Sequence, residues 1–169
     1  MERFKRQPLS SEHQDMLTNA IKRTEEKLCI YTMLDCGLRV AELAKLSRFD
    51  ILTQERHLRF KGKGGKIRTV PVPTRTWVIL QSWFAIQDSI PLGVRGIQKM
   101  VKRIANRAIV PAIVTPHVLR HSYACNLLKK GAKITTIRDM LGHNNLQTTM
   151  IYLNMLPIDS IREAERLAI

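Results

Sequence analysis

The chain has 169 residues, 44% of them hydrophobic, which suits one domain with a real core and leaves too little for two. No apolar run approaches the ~18 residues of a membrane span, and the opening MERFKRQPLSSEHQ has no signal-peptide apolar region, so a soluble, cytoplasmic protein is expected. The net charge is +14, with 17 Lys/Arg and one acid, Asp88, between Arg56 and Arg138, against 11 Lys/Arg and 13 Asp/Glu elsewhere. So one-sided a field favours a polyanion, and nucleic acid before an anionic membrane surface.

Residues 10–36 follow a helical pattern, with Leu17, Ile21, Leu28, Tyr31 and Leu34 recurring at spacings of three, four and seven. Gly37 breaks it, and Val40, Leu43, Ala44 and Leu46 suggest a short second helix. Residues 49–52, 57–60 and 67–72 read as short strands around the glycine-rich basic turn GKGGK at 62–66, giving a small antiparallel sheet with an exposed tip. Ile97, Met100, Val101, Ile104, Ala105 and Ala108 then form a helical stripe. Its other side carries Lys99, Lys102, Arg103 and Arg107, a basic face that suits phosphates as readily as bare solvent. Further helices are expected at 115–130, 134–141, 146–153 and 158–168. The fold class is mainly α (α+β), helical with one small three-stranded antiparallel sheet.

The sharpest local signal is TPHVLRH at 115–121. Thr115 is a good N-cap and Pro116 suits the first helical position, so a helix starts here. His117, Arg120 and His121 then share one face close to its N-terminus, where free N–H groups favour anions. Two imidazoles and a guanidinium make a phosphate site there; an ordinary polar helix surface is the plainer reading. Zinc is a poor one, because no nearby acid or cysteine completes the HxxxH pair. Cys29, Cys36 and Cys125 have neither CxxC spacing nor an even count, and read as small buried or incidental thiols. Downstream, Gly142 can cap a helix carrying Ile134, Ile137 and Leu141, which leaves His143 at its exit. Tyr152 lies about 120° from the Leu146/Met150/Leu153 stripe, so its hydroxyl need not be buried; a half-buried packing tyrosine is the plainer reading.

GLRVAEL (37–43), KGKGGKIRTVPV (61–72), HVLRH (117–121) and LGHNNLQTTMIY (141–152), in that order, resemble the catalytic domain of tyrosine recombinases, the family of phage-type integrases and Xer-like site-specific recombinases. The resemblance runs from about Leu9 to Leu156. It implies a catalytic set of Arg39, Lys63, His117, Arg120, His143 and Tyr152, supported by Glu42 and His121. The hairpin cations Lys61, Lys66 and Arg68 would join Lys99, Lys102, Arg103 and Arg107 in contacting double-stranded DNA. Arg3, Lys5 and Arg6 lie before the first matching helix. The chemistry it implies is attack by Tyr152 on a phosphodiester, giving a 3′-phosphotyrosine and a free 5′-hydroxyl, with rejoining that needs no cofactor, ATP or metal.

The whole chain, 1–169, is then expected to be a single catalytic domain without the DNA-binding domain that commonly precedes it in the family. Residues 157–169 would be a tail helix, which in the family commonly docks on a neighbouring protomer in a dimer or tetramer; packing on its own domain carries equal weight. Nucleoid association would follow from DNA binding. The competing readings are a non-catalytic DNA-binding protein, which has no use for a tyrosine at this spacing, and a topoisomerase-like nicking and resealing enzyme.

Overall fold

The computed structural model describes residues 7–61, 65 and 67–142. Two helices replace the single one expected over 10–36: α1 (Ser11–Asn19) and α2 (Thr24–Asp35). Ser10 caps α1 by accepting from the His13 N–H. The break between them contains neither glycine nor proline. Its polar groups are met by one distant and one near side chain: Arg107 donates to the Ala20 carbonyl at 2.9 Å, and the carboxylate of Glu26, four residues on, accepts the Lys22 N–H at 3.0 Å.

α2 is buried on almost every side, with Leu28, Cys29, Ile30, Thr32, Met33 and Leu34 all inaccessible or nearly so. It is the axis of the domain, packed by α3 (Val40–Leu43), α4 (Thr74–Phe84), α5 (Val94–Ala108) and α6 (Pro116–Lys129). α4 was not anticipated from the sequence, although Trp77, Leu80 and Phe84 recur at helical spacing and are buried in it. Asp35 at the end of α2 accepts from Arg75 Nε at 2.7 Å and from the Thr76 hydroxyl at 2.6 Å, tying the two helices together.

The sheet has the expected form, three antiparallel strands in the order β1 (Ile51–Leu52), β2 (His57–Lys61), β3 (Ile67–Pro71). Its first strand is shorter than expected. Ser47 and Asp50 cap each other across a single 3-10 turn at Arg48–Asp50, which takes up the residues before Ile51. Register pairs Phe60 with Arg68 and Leu58 with Val70. Leu58 and Val70 are buried, so Arg68, two residues from Val70, is also on the inward face.

α5 buries the anticipated stripe of Ile97, Met100, Val101, Ile104 and Ala105. α6 begins as expected, with the Thr115 hydroxyl accepting the Val118 N–H at 3.2 Å and Pro116 in the first turn. α7 (Ile134–Leu141) ends in a left-handed Gly142 at φ +64°. The helices expected at 146–153 and 158–168 lie outside the described residues. Among the described residues, no helix is long and apolar enough to cross a membrane.

Candidate active site

Gly37 turns the chain out of α2 in the left-handed region, φ +62°, with its backbone against the Tyr123 ring; a Cβ there would sit 2.3 Å from that ring. This turn delivers Arg39 to the N-cap of α3. Glu42, one helical turn on, accepts the Arg39 backbone N–H at 2.8 Å and its Nη1 at 3.0 Å. One carboxylate therefore fixes both ends of Arg39, whose side chain remains 43% exposed.

Arg120 reaches the same place from α6 and is nearly inaccessible. Its Nη1 donates to the Gly37 carbonyl and its Nη2 to the Leu141 carbonyl at 2.7 Å, with Nη1 4.0 Å from Glu42 Oε2. Arg39 Nη2 donates to the next carbonyl, that of Gly142, at 3.1 Å. The C-terminal end of α7 carries partial negative charge on its unpaired carbonyls, and two guanidinium groups meet it there. The LGH turn is thus fastened to both arginines, one residue before His143.

A third guanidinium completes the cluster. Arg68 grips Glu42 with both nitrogens, Nη1 to Oε1 at 2.6 Å and Nη2 to Oε2 at 3.0 Å, and lies over the Phe60 ring at 5.2 Å. It is only 11% exposed. Arg68, expected among the DNA contacts, is pointed inward by its strand position, with its guanidinium engaged by Glu42. Three arginines around one glutamate leave two positive charges at the site.

His117 stands on the exposed side of α6 one turn before Arg120, its ring centroid 5.8 Å from that of His121. His121 is buried, and desolvation first, then the nearby His117, pull its pKa down to about 4, so it is neutral at pH 7. Tyr123 is buried beside Gly37, with its hydroxyl 3.5 Å from Met140 Sδ, and burial pushes its phenol up to about 12. Tyr31 is covered by the Arg75 guanidinium at 4.6 Å. Burial likewise pushes the thiols of Cys29, Cys36 and Cys125 upward.

The structure brings Arg39, Glu42 and Arg120 to one place, and His117 and His121 stand together on α6 within one turn of Arg120. Lys63, Lys66, His143 and Tyr152 lie outside the described residues, as do Arg3, Lys5, Arg6 and the tail at 157–169. Lys61 is exposed at the end of β2, and Lys99 and Lys102 are exposed on α5. Arg107, also expected among the DNA contacts, turns in to Glu26, donating at 3.0 and 3.2 Å, and is 25% exposed. Arg103 is shared, 57% exposed yet 3.4 Å from Glu26. Among the described residues, no three His, Cys, Asp or Glu side chains gather as a metal site.

Residues 9–157 match the model of the phage integrase family. The chain belongs to that family. Tyrosine recombinase XerC of Proteus mirabilis is 32% identical over 145 residues, 77% of this chain and 47% of that protein. Tyrosine recombinase XerD of Brucella suis is 33% identical over 154 residues, 80% of this chain and 50% of that protein. The crystal structure of XerA recombinase superposes with a TM-score of 0.81 at 27% identity, covering 95% of this chain and 64% of that one. This phage-integrase-family chain spans about half the length of the curated relatives it matches. The resemblance drawn from its four motifs is the family the comparisons return, on the expected mainly helical fold with its small sheet.

Proposed function

We infer that the chain is the catalytic domain of a site-specific DNA recombinase that cleaves and rejoins strands through a phosphotyrosine. The observation that carries this reading is the convergence of Arg39 and Arg120, 81 residues apart in sequence, on Glu42 and on consecutive carbonyls at the end of α7. Arg120, one member of this pair, follows the exposed His117 by one helical turn on α6.

In this reading Arg39 and Arg120 hold the two non-bridging oxygens of the scissile phosphate. Tyr152 Oη attacks phosphorus as the bond to the 5′-oxygen breaks. An isolated tyrosine has a pKa near 10, so it needs the positive field and a proton acceptor, His117. Lys63, on the hairpin turn, gives its proton to the departing 5′-oxygen, and His143 adds a donor to the phosphate. Charge-assisted bonds to the phosphate contribute about 1.5–3 kcal/mol each, and more as negative charge builds in the pentacoordinate state. The phosphotyrosine retains the energy of the phosphodiester, so attack by a 5′-hydroxyl rejoins the strand without ATP.

Two of the chain's three tyrosines support the choice of Tyr152 by their surroundings: Tyr123 is buried with a raised pKa, and Tyr31 lies under Arg75. Double-stranded DNA is the substrate, and Lys61, Lys66, Lys99, Lys102 and Arg103 are its proposed phosphate contacts. Residues 157–169 are proposed to dock on a neighbouring protomer in a dimer or tetramer, on DNA at the nucleoid.

The test is a covalent-adduct assay on nicked and supercoiled DNA in excess EDTA, resolved on a denaturing gel. Wild type is expected to give a protein–DNA adduct and Tyr152→Phe none, with DNA affinity nearly unchanged. An adduct formed by Tyr152→Phe removes Tyr152 from the role.

A further inference from the structure

We propose that Arg68 is a positioning residue for this reaction, offsetting the charge of Glu42 so that Arg39 and Arg120 keep their full attraction for the phosphate; this rests on the recombinase reading above. A carboxylate within 3.0 Å of Arg39 and 4.0 Å of Arg120 is a costly neighbour for an anion site, since it competes with the phosphate for both guanidinium groups. Glu42 is nonetheless needed there, because it holds the Arg39 backbone and side chain together. Arg68 resolves the conflict. Its planar fork takes both Glu42 oxygens at 2.6 and 3.0 Å, the bidentate geometry in which a carboxylate is most fully matched.

Three further observations show a site built around Arg68 in its present place. It faces inward by strand register, on the face it shares with Val70, and packs on Phe60, its partner across the ladder. Its Nε is buried without a hydrogen-bond partner among the described residues, a cost that the Glu42 clamp outweighs. Gly142 makes room for it, since a Cβ at 142 would lie 2.7 Å from Arg68 Cδ. One side chain, on the strand that follows the basic turn, therefore touches the strand that precedes it, the acid that sets Arg39, and Gly142. Arg68 reaches no phosphate itself and acts only through these groups.

The experiment compares single-turnover cleavage, DNA affinity as a function of salt, and melting temperature for wild type, Tyr152→Phe, Arg68→Lys, Arg68→Gln and the double variant Arg68→Gln/Glu42→Gln. Cleavage by wild type that is lost in Tyr152→Phe establishes the recombinase reading first; its absence overturns that reading, and Arg68's role with it. Per folded molecule, Arg68→Gln is expected to cleave about 100-fold more slowly and Arg68→Lys about tenfold more slowly. DNA affinity should stay within about threefold, with the salt slope unchanged. Removing the acid as well restores two positive charges, so the double variant should recover about tenfold over Arg68→Gln, which a purely structural strut would not do. Wild-type cleavage by Arg68→Gln, or a double variant no faster than it, overturns the proposal. So does a salt slope lowered by about one at unchanged saturated cleavage, which would make Arg68 a phosphate ligand. Should Arg68→Gln fail to fold, Arg68→Lys decides, and unchanged cleavage by it rejects the role.

Discussion

Two glutamates in this domain each gather arginines, and they do so to different ends. Glu26 is 1% exposed and accepts from Arg103 and Arg107, which lie one turn apart on α5. Arg107 also ends α1 by binding the Ala20 carbonyl, so the cluster ties three helices together and closes on itself. Glu42 instead draws Arg39, Arg68 and Arg120 from three separate segments, and Arg39 remains 43% exposed. The first arrangement sets two arginines on one buried acid and leaves a single charge over, on Arg103 at the surface. The second sets three arginines on one acid and leaves two charges over, with Arg39 open to solvent. A doubled excess, gathered from three segments at one place, suits a phosphate better than the single charge that remains on one helix.

The largest expected effect separates the clusters by activity. Arg120→Ala removes a proposed phosphate ligand, and cleavage per folded molecule should fall about 100- to 1,000-fold. It also strips the Gly37 and Leu141 carbonyls of a donor, so the melting temperature falls too. Glu26→Gln should lower stability while leaving the rate per folded molecule within about twofold. A loss under tenfold in Arg120→Ala would take that residue off the phosphate and erase the distinction between the clusters.

Much of this was legible in the chain, but unevenly. Thr115-Pro116 announces the start of α6, Gly142 the end of α7, and the apolar stripe of α5 needs no partner to be recognised. These are local signals, complete within one or two helical turns. The break at Ala20–Arg23 is held by Arg107 from 87 residues away, so the helical pattern runs straight through it. The inward turn of Arg68 was written in the alternation Arg68, Val70, Val72, two valines that are both buried, yet a basic residue beside a basic turn read more naturally as a DNA contact. The motifs named Arg39, Glu42 and Arg120 as members of one site through family resemblance. That the Arg39 and Arg120 guanidinium groups grip the Gly37, Leu141 and Gly142 carbonyls is tertiary geometry that no spacing along the chain discloses.

The next effect in size concerns the closed cluster alone. Glu26→Gln leaves two arginines without their counter-charge, at a cost of about 2 kcal/mol after allowance for their exposure, or roughly 6 °C in melting temperature. The side-chain bond from Arg107 holds the Glu26 carboxyl down at about 2, against its ordinary 4.5. A depressed carboxyl stabilises the fold fully above 4.5 and loses that contribution as pH falls toward 2. The stability gap between wild type and Glu26→Gln, read by urea denaturation, should therefore be constant at neutral pH and narrow from about pH 5 to pH 2. A gap that persists undiminished at pH 2 would mean Glu26 acts there by packing and not by charge.

The smallest effect divides α5 against itself. Lys99 and Lys102 are exposed, and each phosphate they neutralise adds about 0.9 to the salt slope of DNA binding. Lys99→Ala/Lys102→Ala should lower the slope by about two, weaken binding at low salt, and leave the melting temperature unmoved. Arg107→Ala should do the reverse, lowering the melting temperature at an unchanged slope, because its guanidinium is held by Glu26 and the Ala20 carbonyl. Arg103, half in the cluster and half in solvent, should show some of each. Along one helix, then, charge alone does not identify a DNA contact; a buried acid within reach on the neighbouring helix decides which cation turns inward. Equal slopes for all three variants would show that the α5 face meets no phosphate and that DNA lies over the Glu42 cluster alone.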